Sequence, residues 1–183
     1  DESEDPIIIE VYAKQFAWQA RYAGADNTLG LGNVNFIDET NNPIGVDLSD
    51  PASLDDKPVT ELHLPKGKKV LFKFRSQDVL HSAYMPHFRA QMNCVPGMVT
   101  QFAFTPKYTT EEMREQSEVM DKTRGINKIR SDKGEDLYEF DYVLLCNKIC
   151  GASHYSMQMK IVVEEEDDYK QWLAEQATFA EKL

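Results

Sequence analysis

From Val59 to Val163 the chain alternates apolar and polar residues in short runs, the two-residue period of half-buried strands. The clearest run is Lys69-Val70-Leu71-Phe72-Lys73-Phe74-Arg75: Val70, Phe72 and Phe74 face one way, Lys69, Lys73 and Arg75 the other. Thr60 to Leu64 precedes it across a Pro65-Lys66-Gly67 turn. Val79 to Met85, Met98 to Thr105, Leu137 to Leu145 and Met159 to Glu164 follow as further strands. Upstream, β-branched Pro6 to Tyr12 predicts a strand that continues to Tyr22, with Phe16, Trp18 and Tyr22 on one face. Core packing is the plain expectation for each of these aromatics. Gly24 to Lys57 shifts to Gly, Asn, Asp and Pro and reads as loop, with one short strand near Val34 to Ile37.

Two stretches break the strand pattern. Thr109 with Glu112 three residues on is a capping box, and it predicts a helix over Glu111 to Lys122 followed by a polar loop from Gly125 to Gly134. With only Met113, Val119 and Met120 as large apolar residues, this helix lies on the surface or is covered by something outside the chain. The second helix runs from Asp167 to Ala180, with Tyr169, Trp172, Leu173, Gln176 and Ala180 at helical spacing. The acidic run Glu164 to Asp168 suits its N-terminus. The pattern predicts an all-β sandwich in one domain over 1–183, with a helix-and-loop insertion at 109–135 and a C-terminal helix at 166–183.

Charge narrows the partners. A net charge of −11 over 183 residues repels nucleic-acid phosphates, and is compatible with a basic protein partner or with solubility alone. No run approaches the roughly 20 apolar residues of a membrane span. The chain opens on Asp1-Glu2-Ser3-Glu4-Asp5 rather than Met, and is expected to be a mature or excised segment. Three cysteines do not make a disulfide framework.

The chemistry is concentrated in Cys146 to Met157, where C-x3-C-x3-H-x2-M places two thiols, an imidazole and a thioether in one loop. Gly151 and the flanking strands favour a wrapped loop over a helix. Thiolate with thioether favours copper. Structural zinc has no use for Met157. A thioredoxin-like module or copper chaperone would place its cysteine pair at the start of a helix in an alternating α/β chain. A mononuclear blue-copper site needs one thiol only. A dinuclear copper centre uses every donor, with two bridging thiolates and one imidazole on each metal. It requires a second histidine from His63, His81 or His87. His63 lies mid-strand as a surface residue, His87 in a loop beside Arg89, and His81 at the end of a strand-like piece.

At these residues the chain resembles the copper domain of subunit II of haem–copper cytochrome c oxidases, whose dinuclear centre is called CuA. The resemblance rests on Asp78-Val79-Leu80-His81-Ser82, on Val95-Pro96-Gly97, and on Cys146, Ile149-Cys150-Gly151, His154 and Met157. Gln15 to Trp18 is similar to the family's aromatic segment. The resemblance implies a cupredoxin-like Greek-key β-sandwich or barrel on the periplasmic side of the bacterial inner membrane, or the equivalent outer face of a respiratory membrane. It implies a native protein anchored by an N-terminal transmembrane hairpin, which this chain lacks. It makes His81 and His154 the imidazole ligands, Cys146 and Cys150 the bridges, Met157 one axial ligand and the backbone carbonyl of Lys148 the other.

The function so implied is electron transfer within a proton-translocating oxidoreductase. CuA takes electrons from cytochrome c, or another cytochrome donor, and passes them to haem a of subunit I. The domain alone is an electron carrier with no catalytic site of its own. Haem belongs to the partner subunit, and further oxidase subunits are expected. The family has Glu where Lys148 stands, and that carboxylate binds magnesium, so no magnesium ligand is expected here. Phe16 replaces the Trp at which electrons enter in the family, Met98 replaces a basic residue after the Pro-Gly, and Cys94 is expected to be a buried free thiol. Nitrous oxide reductase shares the loop spacing but needs a His-rich propeller that four histidines cannot supply. Quinol-oxidising relatives lack the cysteines. The alternatives from other classes are a thiol-based copper chaperone or redox module, and the CuA domain of a nitrous oxide reductase-like enzyme.

Overall fold

The computed structural model describes residues 5–182. The acidic start, Asp1 to Glu4, and Leu183 at the end of the expected last helix lie outside the described residues. Strands β1 (Ile7–Lys14), β2 (Ala17–Tyr22), β3 (Lys57–Val59), β5 (Val70–Ser76) and β8 (Thr100–Phe104) form one sheet in the order β3-β2-β1-β5-β8. Strands β4 (Leu62–Pro65), β6 (His81–Met85), β7 (Ala90–Cys94), β9 (Tyr142–Cys146) and β10 (Gln158–Glu164) form the other, in the order β4-β10-β9-β6-β7. The β1–β5 and β4–β10 pairs are parallel and the rest antiparallel. The alternation read from the sequence is the burial seen. Val70, Phe72 and Phe74 from one sheet, and Leu144, Met159, Ile161 and Val163 from the other, fill a shared core. This is the mostly-β, two-sheet architecture expected.

Several boundaries differ from the sequence reading. The first strand does not run on to Tyr22; it turns at Gln15-Phe16 and returns as β2, so Phe16 is half-exposed while Trp18 and Tyr22 are buried. Val34 to Phe36 is a 3-10 turn capped by the Asn33 side chain, not a strand. The insertion helix breaks after α1 (Thr110–Arg114) and resumes as α2 (Ser117–Lys133), through the segment expected to be loop, until Gly134 ends it with φ +67°. The capping box on Thr109 is formed as expected. Residues 137–141 lie outside any strand, bonded instead to the insertion through Asn127 and Arg114, so only Tyr142–Cys146 remains strand. The last helix is also split, into α3 (Glu166–Glu175) and α4 (Phe179–Lys182). There the Phe179 and Ala180 amides donate to the carbonyls of Asp56 and Leu54.

The long loop between β2 and β3 is fastened by charge inside the protein. Arg21, 1% exposed, lies across the ladder from Glu10 and donates to its Oε2 at 2.7 Å, to Asp56 Oδ2 at 2.7 Å and to the Gly30 carbonyl at 2.7 Å. Arg75 reaches the other oxygen of Glu10 at 3.0 Å. Replacing Arg21 by Met leaves two buried carboxylates without this cation, and denaturant unfolding is expected to register a loss of about 3–5 kcal/mol. Burial pushes the Asp56 carboxyl up to about 7, against the pull of Arg21. The folded state then holds a proton that the unfolded chain has released above about pH 4, so this contribution is present at low pH and lost as pH rises towards 7. Asp56→Asn is expected to flatten that limb of the stability–pH profile.

Candidate metal centre

Antiparallel pairing of β6 with β9 sets Ala83 opposite Cys146. Opposed residues share a face, and so do residues two apart on a strand, so His81 and Cys146 are diagonal neighbours on the inner face. His81 Nδ1 lies 3.8 Å from Cys146 Sγ, and the ring is fully buried. The chain then leaves β9 as a wrapped loop, not a helix, until a 3-10 turn at His154–Ser156 returns it to β10. The loop folds back so that Cys150 Sγ stands 3.9 Å from Cys146 Sγ, 3.6 Å from His154 Nδ1 and 3.5 Å from Met157 Sδ. The Lys148 carbonyl lies 3.3 Å from Cys146 Sγ. All six donors singled out from the sequence therefore converge. The tightest group is His81, Cys146 and Cys150, whose donor atoms lie within 4.8 Å of one another and could hold a metal ion. Thiolate, imidazole and thioether together are a donor set suited to copper.

The other histidines stand apart from this cluster. His63, expected at the surface, is buried; its ring stacks on Trp172 at 3.9 Å and 7°, and Nδ1 pairs with Glu164 at 2.7 Å. His87 meets Phe140 edge-on at the opposite end of β6, with ring centroids 4.8 Å apart. Cys94 is a buried free thiol directly across β7 from His81, and burial pushes it up to about 12, so it stays protonated.

The supporting residues were less visible in the sequence. Asp78 Oδ1 pairs with His81 Nε2 at 2.8 Å, which fixes the ring with Nδ1 turned towards Cys146. The spacing of three from Asp78 to His81 was the available signal. Against the opposing effect of burial, the Gln15 N–H, His81 and the Val79 N–H hold Asp78 below the usual carboxylate range. Trp18 touches the His81 ring edge-on with centroids 6.2 Å apart. Gly151 has φ +148°, and a Cβ there would come within 2.7 Å of the Phe16 ring. Around the site Phe16, Val79, Leu80, Ile149 and Tyr155 leave apolar surface exposed, Ile149 at 86% and Tyr155 at 82%.

A family model described as cytochrome c oxidase subunit II, periplasmic domain, matches residues 7–124, more than half of the chain. The chain belongs to that family. The alternative cytochrome c oxidase subunit 2 of Bradyrhizobium diazoefficiens is 39% identical over 178 residues, which is 96% of this chain and 53% of the relative. The chain thus spans about half the length of that relative. The crystal structure of the periplasmic domain of cytochrome oxidase subunit II (CoxB) of Bradyrhizobium japonicum is similar with a TM-score of 0.54 at 16% identity, covering 93% of both chains. A mixed disulfide intermediate between a thioredoxin-like protein and subunit II of cytochrome c oxidase is similar at TM-score 0.52 and 15% identity, covering 95% of this chain and 93% of that one. These two support the fold. The subunit II relatives belong to an oxidoreductase, and the family's domain is periplasmic. No helix among the described residues is long and apolar enough to cross a membrane.

Gly151→Ala meets both the disfavoured φ and the Phe16 ring. The expected cost is about 1–3 kcal/mol in denaturant unfolding, and Phe16→Ala in the same chain should restore only part of it, because the backbone conformation remains.

Proposed function

We propose that the chain is the CuA electron-transfer domain of a haem–copper oxidase subunit II. It forms one cupredoxin domain with 109–135 inserted, and the intact protein is membrane-anchored with this domain on the periplasmic side. Its partners are subunit I, whose haem a receives the electrons, a cytochrome c or other cytochrome donor, and the remaining oxidase subunits. The observation that carries this reading is the convergence of two thiols, two imidazoles, a thioether and a carbonyl through successive contacts of 3.3–3.9 Å. Cys146 and Cys150 as thiolates, His81 and His154 as imidazoles, Met157 as thioether and Lys148 through its carbonyl would hold the copper. Two copper ions held there supply one-electron transfer with the charge shared between them.

The protein's own contribution is to fix the donors and to manage protons. Asp78 holds the His81 ring by Nε2, so that Nδ1 faces inwards to Cys146. Burial, and the neighbouring Cys146, push the Cys150 thiol up to about 11, so loading metal at neutral pH must expel its proton. Each end of the ligand loop enters a strand, which limits how far the donors move between oxidation states. Lys148 offers no carboxylate, so the magnesium ligand of the family is not supplied from this position. The exposed apolar rim at Phe16, Ile149 and Tyr155 suits transient docking of a donor.

The thiol pair has a second chemistry that serves the first. At 3.9 Å the sulfurs need to approach by somewhat under 2 Å to close a disulfide, which excludes metal. The mixed disulfide seen for a similar domain leads us to infer that a thioredoxin-like reductant keeps this pair open. Reduced protein given copper is expected to bind two ions per chain, turn purple and show an electron-spin signal shared by both nuclei. His81→Ala is expected to lose that signal. A colourless product with at most one copper, or a purple His81→Ala variant, would overturn the assignment.

A further inference from the structure

The turn from β1 to β2 reaches both halves of the donor cluster. The Gln15 backbone N–H donates to Asp78 Oδ2 at 2.7 Å, and the other oxygen of that carboxylate holds His81. The side-chain amide of the same residue donates to the Cys150 carbonyl. Phe16 follows and lies against Gly151. Gln15 thus ties the β6 half of the cluster to the loop half, across 135 residues of sequence.

The loop's ends are already secured. The Cys146 N–H donates to the Met157 carbonyl at 3.2 Å, the Asn147 N–H to Ser82 at 2.9 Å, and the Met157 N–H to His154 at 3.2 Å. From Lys148 to Cys150 no backbone N–H has a backbone acceptor among the described residues. Within the loop this middle segment is held by sulfur contacts, of Cys146 on the Lys148 carbonyl and of Cys150 on Cys146, His154 and Met157; from outside, the Gln15 amide takes the Cys150 carbonyl. Both thiols are buried, Cys146 at 8% and Cys150 at 7% exposure, so a reagent that attacks Cys150 must first lift this segment.

We propose that Gln15 is a positioning residue that closes the Cys150 segment over the metal site before any metal arrives, and so sets how readily the two thiols are reached. The purpose assigned to this closure rests on the metal reading given above. A donor set held in place loses less freedom when the metal binds. The same bond must open when a reductant or a metal carrier approaches the sulfurs. Gln15 thereby sets a balance between a preformed site and an accessible one.

The decisive measurement is thiol alkylation of reduced, metal-free protein by N-ethylmaleimide, resolved by peptide mass spectrometry, with Cys94 as the internal control. Gln15→Glu keeps the size of the side chain but replaces the N–H donor with a carboxylate facing a carbonyl; Gln15→Ala removes the group entirely. Both are expected to raise alkylation at Cys146 and Cys150 roughly five- to ten-fold, the order supplied by one net hydrogen bond, with Cys94 unchanged. Unchanged rates in both variants overturn the proposal. So does a parallel rise at Cys94, which reports general loosening, or a fast Gln15→Ala beside a Gln15→Glu at the wild-type rate, which reports packing alone. Because no copper is present, this result stands apart from the two-copper test on the unsubstituted protein. In copper-loaded protein the same variants are expected to shift the hyperfine pattern of the electron-spin spectrum, a readout that loss of stability alone does not move.

Discussion

The pairing of two short strands governs this protein's chemistry. β6 and β9 meet at only two paired positions, Ala83 with Cys146 and Tyr84 with Leu145. A slip of one residue would turn His81 to the opposite face of its sheet and separate it from the thiol. What prevents the slip is apolar: Ala83 and Met85 on one strand, Tyr142 and Leu144 on the other, all buried in the common core. Packing by residues that are not themselves donors thus decides whether the donors meet. The loop after Cys146 is then free to be irregular, because its two ends are set by strands.

Charge has a different part in the first sheet. Arg21, Glu10, Asp56 and Arg75 form a buried network where a long loop crosses the first sheet. Such networks are poor sources of net stability but strongly penalise partial disruption. Their effect here is to make the β2–β3 connection, the β1–β2 hairpin and the C-terminal turn on Asp56 a single unit. Lys66 and Lys68 do this more loosely at the surface, pairing with Glu112, Glu165 and Glu166 to hold the two helical regions near the end of β10.

Much of this was readable in the chain. Strict alternation identified β5, and the loop spacing gave Cys146, Cys150, His154 and Met157, because both signals are local; His81 and the Lys148 carbonyl came from the family resemblance. The misses have physical causes. β7 passed unnoticed because Ala90-Gln91-Met92-Asn93-Cys94 is short and carries a single large apolar residue, Met92, between its small ends; its burial comes from neighbouring strands. α2 runs through Gly125 because, with only Val119 buried, backbone bonding and charged side chains sustain it more than packing does. The insertion also buries little that a hydrophobic pattern could report. His63 was misplaced because Trp172, 109 positions later, covers it. Gln15 acts through hydrogen bonds to Asp78 and Cys150, far away in the chain, for which a single sequence carries no periodic mark.

The chain has two tryptophans, and each lies against a histidine ring. Trp18 touches the imidazole assigned to the metal, whereas Trp172, on α3, stacks on His63. Ultraviolet fluorescence from this protein is therefore not an average over a bulk core. It carries two channels, one beside the donor cluster and the other at the seating of α3, so the molecule contains its own pair of optical probes at two separate sites.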